Sequence, residues 1–379
     1  MTLPPYCSPH YTAPMTFWRV TRLFRLATAF GVALVSSALA VTVPDPPADP
    51  AILSHPALRP TLLGSSGVLL VSDSPETPTR SGLLYRDTLQ GSTVQGSTVQ
   101  GSTVQGRIRV MAYHVNGLGR PARLLLLAKN MDEQSAPLTV LRQGRAVTQQ
   151  PDPVIGQQTL LRYFVSGPRP PRTLGGGEQS VLFDSGLLAP GSVVSLLLDL
   201  ESSATLELSV MILGQGERPD GSQQALPADA FHQRGTFLGA DRTLSVELPA
   251  DAGTPFRLTL GGSGDLPLEG RDALTGNPQR LMGNYGVLYS IQVAGAAGRL
   301  LAASPRGGAY RGTALLQDGG RTSQVLVGQG RALKVPASPG ALWQIRSPEF
   351  RLQIVPANGS SLPLALLFYP GKVNRASGR

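Results

Sequence analysis

Apolar and polar residues alternate with period two over much of this chain. Across 205–212, Leu206, Leu208, Val210 and Ile212 share one face, while Thr205, Glu207 and Ser209 share the other. Leu244, Val246 and Leu248 alternate with Thr243, Ser245 and Glu247, and Phe256, Leu258 and Leu260 with Arg257 and Thr259. Val287, Tyr289, Ile291 and Val293 alternate with Leu288, Ser290 and Gln292. Successive side chains of a strand point to opposite faces, so this spacing predicts strands with one buried face. Continuous runs at 124–128 and 193–198, apolar but for Ser195, predict strands buried on both faces. No stretch beyond the amino-terminal leader shows the three-and-four spacing of an amphipathic helix. Many short strands parted by Gly, Pro and Asn turns predict an all-β fold of one or two β-sandwich units, jelly-roll-like in outline.

The leader is of another kind. Arg19, Arg22 and Arg25 precede an apolar stretch, 26–39, that closes in Ala38-Leu39-Ala40. Charge, then a short apolar run, then a small-x-small site is the pattern of a cleavable signal peptide, here 1–40. The alternative, an uncleaved membrane anchor, needs an apolar run of roughly 20 residues. Met15 begins a more ordinary leader than the Pro- and Tyr-rich 1–14 before it, and translation from Met1 or Met15 gives the same mature chain from Val41. The sequence therefore predicts an exported protein of the periplasm, cell surface or exterior, with no membrane span in its mature part. Cys7 is the single cysteine and lies in the leader. No thiol is left to form a disulfide, attack a substrate, bind a metal or carry a lipid.

Composition divides the rest. Residues 41–61 are a Pro-rich linker, read as an extended spacer because proline fixes φ and lacks an amide donor. A first β unit spans 62–213 and a second spans 235–370. Between them lies the polar, turn-forming linker 214–234, and 371–379 is a basic tail. One continuous β domain with a long surface loop is the alternative. Within the first unit, Gly-Ser-Thr-Val-Gln occurs three times in 91–106. An odd period moves each valine to the opposite strand face, so the repeat reads as an expanded hairpin loop or bulged strand extension.

Charge and motif content exclude much chemistry. The formal net charge is +9, falling to +6 when the three leader arginines are removed. The remaining arginines are scattered rather than clustered, which points away from nucleic acid and leaves room for anionic envelope polymers. His55, His114 and His232 are far apart and fit no metal-binding spacing, and no cofactor fingerprint is present. Gly64-Ser65-Ser66-Gly67 and Gly261-Gly262-Ser263-Gly264 are not nucleophile elbows. Paired carboxylates for glycoside cleavage would meet only in space, and no Asp or Glu stands out. His114 shares a strand face with Ile108, Val110 and Ala112, and reads as a strand-end histidine bonded to a turn.

Two clusters carry more information. One is Gly283-Asn284-Tyr285-Gly286-Val287-Leu288-Tyr289 with Pro305-Arg306-Gly307-Gly308-Ala309-Tyr310. The other is Tyr113-His114-Val115-Asn116-Gly117, with its Asn-Gly turn signal. Rings and planar polar groups beside glycine turns suit a shallow sugar site: Tyr285, Tyr289, Arg306 and Tyr310, with His114 and Asn116 as a second patch. The competing reading makes the glycines positive-φ turn residues, wedges the tyrosines between sheets and pairs Arg306 with a carboxylate. These pieces, together with Gly359-Ser360-Ser361-Leu362-Pro363, resemble in order an uncharacterised exported bacterial family, domain of unknown function 3370. The resemblance implies an envelope or extracellular setting and transfers no catalytic residue. The function expected is non-enzymatic: binding or organising envelope polysaccharide or surface-layer components. A secreted glycan or peptidoglycan hydrolase and a structural subunit of a surface assembly are the alternatives.

Overall fold

The computed structural model describes residues 43–90, 107–152, 154–251 and 253–371. The predicted leader, the pentad repeat and the tail beyond Gly371 lie outside them. The first strands are β1 (Thr61–Ser72), β2 (Gly82–Gln90), β3 (Ile108–Val115), β4 (Ala122–Asn130) and β5 (Ala136–Thr148), followed by helix α1 (Val154–Val165). Next come β6 (Arg172–Leu174), β7 (Gln179–Asp184), β8 (Val193–Ser202), β9 (Thr205–Gly214) and β10 (Arg234–Glu247). They are followed by β11 (Phe256–Leu260), β12 (Glu269–Arg271), β13 (Pro278–Arg280), β14 (Leu288–Ala294) and β15 (Leu300–Pro305). The last are β16 (Ala309–Asp318), β17 (Arg321–Arg331), β18 (Gly340–Gln344), β19 (Glu349–Ile354) and β20 (Leu364–Tyr369). The fold is an all-β sandwich, and the alternating segments read from the sequence fall on β9, β10, β11 and β14, with Leu248 and Val287 one residue beyond the strand ends.

One long sheet runs β17-β16-β19-β14-β10-β1-β3-β8-β5-β6, with β12 and β13 attached beside β10. Two four-stranded sheets, β11-β20-β15-β18 and β2-β9-β4-β7, complete the architecture. They cover opposite faces of the long sheet. Leu69, Val71, Met111 and Leu197 enter a core with Phe237, Tyr289, Leu258 and Phe368, whereas Val68, Leu70, Val110 and Leu196 enter a core with Leu84, Leu126 and Leu208. Adjacent residues on one strand thus serve different cores, which is why apolar residues stand on both sides of 193–198, with Ser195 the one polar residue, itself buried. The run at 124–128 is also two-sided: Leu124 and Leu126 face the second core, and Leu125 and Leu127 pack with Leu83, Met211 and Leu213.

The polar stretch 214–234 runs from β9, in the β2-β9-β4-β7 sheet, to β10, in the long sheet, and does not divide the long sheet into two units. Antiparallel β1 and β10 pair from Thr61↔Ser245 to Ser72↔Arg234, so strands from both sides of the stretch share the long sheet. Turn-forming composition marks a surface connection and carries no information on which strands pair. The strands flanking the pentad repeat likewise belong to different sheets: β2 pairs with β9, and β3 with β1 and β8.

Helix α1 corrects the expectation that the leader holds the chain's only helix. Its inner face is Ile155, Gly156, Gln157, Thr159, Leu160, Tyr163 and Phe164. Polar and small residues dilute this face because backbone approaches it closely. A Cβ on Gly144 of β5 would lie 2.0 Å from the Thr159 carbonyl oxygen, and one on Gly156 would lie 2.5 Å from that of Asn358. The outer face carries Val165, 71% exposed, so neither face gives a clean stripe. Asp152 caps the start, its Oδ1 accepting from Val154 N at 2.8 Å.

Arg109 ties these parts together. It is 1% exposed, and all five of its N–H donors are used. Nε and one Nη meet the two Asp199 oxygens at 2.8 and 3.1 Å. The other Nη meets Asp241 Oδ1 at 2.7 Å and the Gly286 carbonyl at 3.2 Å, and the fifth bond goes to the Tyr163 hydroxyl at 3.2 Å. Tyr163 in turn donates to Asp199 at 2.7 Å. One side chain thereby fixes β3, β8, β10 and α1 in register.

The Pro-rich segment is not a free spacer in its described part. Ile52 is buried against Ala302, Ala365 and Leu367 on the outer face of the β11-β20-β15-β18 sheet. Asp49 accepts from His55 Nε2 at 2.6 Å and the Tyr369 hydroxyl at 2.5 Å, and Asp45 accepts from Ala341 N at 2.7 Å. Leu58 N bonds the Arg257 carbonyl at 2.8 Å, and Arg257 N bonds that of Pro56 at 3.0 Å. One apolar anchor and these bonds turn an extended stretch into a strap across the sheet.

Candidate functional site

Two of the motifs read from the sequence meet in space. Arg306 N donates to the Pro363 carbonyl at 3.0 Å, and Ser361 N to that of Ala309 at 2.7 Å. Ser360 Oγ accepts from Arg311 N at 2.9 Å and donates to Arg311 O at 2.7 Å. The glycine of Arg306-Gly307 is required sterically, because a Cβ there would sit 1.9 Å from the Leu362 carbonyl oxygen. This junction sets Arg306 beside β11, where Arg257 and Thr259 occupy the strand face turned from the core.

The groove that results has a volume of about 950 Å³. Its walls are the strap at Ala57, Leu58, Arg59 and Pro60, the outer ends of β1 and β10, β11 with its following Gly-Ser-Gly turn, and Arg306 with Pro363. Arg257 and Arg306 converge on one neutral acceptor, Thr259 Oγ1, at 3.5 and 3.4 Å. Among the described residues neither forms an ion pair, and Arg257 Nε is buried without a hydrogen-bond partner. Burial pushes the Arg306 guanidinium below its ordinary value, and the neighbouring Arg257 charge pushes it the same way. Guanidinium stays protonated under such pressure, so the pair presents unsatisfied charge and unsatisfied donors at one spot. A carboxylate or phosphate satisfies both, since two of its oxygens match the donor fork.

A third arginine is already neutralised. Arg242 pairs with Asp265 and donates to the Leu266 carbonyl at 2.8 Å. Asp265 also accepts from Gly261 N at 2.7 Å and from the Tyr289 hydroxyl at 2.8 Å. Asn284 Nδ2 donates to the Tyr289 oxygen at 2.8 Å. Burial drives the Tyr289 phenol upward, with the Asp265 charge adding to it, so it remains a donor. Asp265 is the one carboxylate among the described residues lining the groove, and it is fully occupied.

The six residues read from the sequence scatter. Arg306 lines the groove. Tyr289 is fully buried and acts from behind, holding Asp265 and its turn. Tyr310 is 1% exposed in the larger core, so its ring is not available to a sugar. Tyr285 is half-buried against the same core, outside the groove. His114 and Asn116 lie in the other half and are buried. His114 bonds the Pro75 carbonyl and Ser72, and Asn116 donates to the Arg120 and Leu188 carbonyls while accepting from Leu118 N. Both hold turns and form no second patch. Arg257, Thr259 and Arg59 were missed. The signal for the first two was present, since the alternation at 256–260 puts them on the outward face. Nothing local announced that Arg306 would join them.

A second polar cluster clasps two loops of the first half. His232 Nε2 lies 2.8 Å from Glu76, its Nδ1 lies 3.0 Å from Asp229, and Asp229 accepts from Glu76 N at 2.9 Å. Burial opposes the Asp229 charge, but the amides of Glu76, His232 and Phe231 and the His232 ring outweigh it and hold its pKa at about 2. Beside it, Asp73 Oδ1 is buried without a partner. Burial, and then the Glu76 and Asp229 charges, raise Asp73 well above the usual carboxylate range.

No family model matches the chain, and no curated protein matches it. Among solved structures, the CUB1-EGF-CUB2 domains of rat MASP-1 align with 10% identity and a TM-score of 0.19, over 79% of this chain and 99% of that one. The PBSX exported protein XepA aligns with 10% identity and a TM-score of 0.15, over 82% and 86%. A deformed wing virus structure, from a honeybee pathogen, aligns with 12% identity and a TM-score of 0.18, over 91% and 100%. No helix among the described residues is long and apolar enough to cross a membrane.

Proposed function

We propose that this chain is an exported, non-enzymatic binding protein of the cell envelope, and that its groove holds an acidic envelope polysaccharide. The observation that carries the reading is the convergence of Arg257 and Arg306 on a neutral hydroxyl, with no carboxylate among the described residues paired to either. A uronate or phosphate group on a sugar chain supplies that balance, and an open groove lets the chain continue on both sides. Hydrolysis by a carboxylate pair needs two acids flanking a bond, and the described lining offers only Asp265, already bound by three donors. Export rests on the leader and on the resemblance to the exported family, both part of the proposal.

The test is calorimetric titration of the mature protein with polygalacturonate. Arg257→Gln and Arg306→Gln are expected to weaken binding at least 10-fold each, at the scale of a charge-assisted hydrogen bond of about 1.5–3 kcal/mol. Arg172→Gln, at an exposed arginine on β6, is expected to leave it unchanged. Equal binding by all three variants would remove the groove from the function. Amino-terminal sequencing of the protein recovered outside the cytoplasm is expected to read Val41-Thr42-Val43.

A further inference from the structure

Beside its arginines the groove carries a second kind of surface. Leu62, Leu238 and Leu266 line it and are 57%, 66% and 64% exposed. Single exposed leucines are ordinary on a protein surface, but three on the rim of one concave site form a patch that water covers at a cost. Pro60 and Pro363 extend it. The described lining contains no aromatic ring, the group that stacks on the bare face of a sugar. The groove is therefore built for one anionic group and for aliphatic chain.

Resting on the reading of this groove as an acidic-glycan site, we infer that the end of the polymer held here bears an aliphatic chain, as in a lipid-linked acidic saccharide. The anionic group sits between Arg257 and Arg306, and the chain lies over Leu62, Leu238 and Leu266. Covering an exposed leucine strengthens binding by about 10-fold or more.

The experiment uses the full mature protein and four probes: inorganic phosphate, dodecyl phosphate below its micelle concentration, dodecyl maltoside and polygalacturonate. Dodecyl phosphate is expected to bind at least 100-fold more tightly than inorganic phosphate, and more tightly than uncharged dodecyl maltoside. Leu238→Asn/Leu266→Asn changes two exposed side chains, and circular dichroism checks that the variant folds. It is expected to remove at least 10-fold of the dodecyl phosphate affinity while leaving polygalacturonate binding intact. Equal affinity for dodecyl phosphate and inorganic phosphate, or no effect of the leucine changes, would overturn the inference while polygalacturonate binding still upheld the acidic-glycan reading. Dodecyl maltoside binding as tightly as dodecyl phosphate would overturn the paired use of charge and chain. Failure of polygalacturonate to bind would sink the acidic-glycan reading itself.

Discussion

Replacing His114 should remove an acid-sensitive component of stability whose size follows from its surroundings. The side chain is fully buried on β3. Its Nδ1 lies 3.0 Å from the Pro75 carbonyl oxygen, which can only accept, so Nδ1 carries the proton and Nε2 accepts from the Ser72 hydroxyl at 2.9 Å. Burial lowers the pKa from 6.5 to about 4, against a smaller upward pull from the bonds to Pro75 and Ser72. The folded state thus binds its second proton later than the unfolded chain does. Stability is complete above pH 6.5 and falls as acid is added through 6.5 toward 4, by about 2 kcal/mol at pH 5 and about 3 kcal/mol at pH 4. Urea unfolding of the wild type and His114→Gln at half-unit steps from pH 7.5 to 4.5 measures this. The variant is expected to be less stable at neutral pH and to lose about 2 kcal/mol less than the wild type by pH 5. Parallel stability curves for the two proteins would refute the reasoning.

Arg109→Ala is expected to cost roughly 3–5 kcal/mol, because it leaves Asp199 buried without its partner; a loss below 1 kcal/mol by urea unfolding would show that the network does not hold the sheet. Asp73 has the opposite sign from His114. Its folded pKa is raised, so its contribution to stability declines as pH rises above the unfolded value of about 3.8. Asp73→Asn should raise the melting temperature at pH 7, and a lower value would contradict the assignment of a strained, unpartnered carboxylate.

Strands were legible because period-two alternation is local: Leu206 to Ile212 and Phe256 to Leu260 are buried on the side the pattern names. The continuous run 193–198 also announced two-sided burial. What the pattern could not carry was pairing. Nothing around Thr61 indicates that it lies opposite Ser245, so the shared sheet was invisible behind the polar stretch between the halves. Helix α1 was hidden because close contact with Asn358 requires glycine at 156, and Gln157 and Thr159 stand on the buried face where a stripe would show leucines. Arg306, singled out through its glycine neighbours, lines the groove, whereas Tyr289 and Tyr310 are buried, because an aromatic beside a glycine turn reads alike whether it faces a ligand or a core. For Tyr289 the difference is one hydrogen bond to Asp265, made across 24 residues of sequence.

The strap makes the two ends of the described chain depend on each other in time. Asp49 and Ile52 dock on Tyr369 and Leu367 of β20, a strand that lies between β11 and β15 and is synthesised last. Until it arrives, the first residues of the folded protein have nowhere to settle, the Arg257 wall lacks its bracing from Pro56 and Leu58, and the groove is unfinished. A chain that stopped before Leu364 would lack the interior strand of that sheet and the anchor for Asp49 and Ile52. The arginine-lined groove is thereby completed only after β20 has been made.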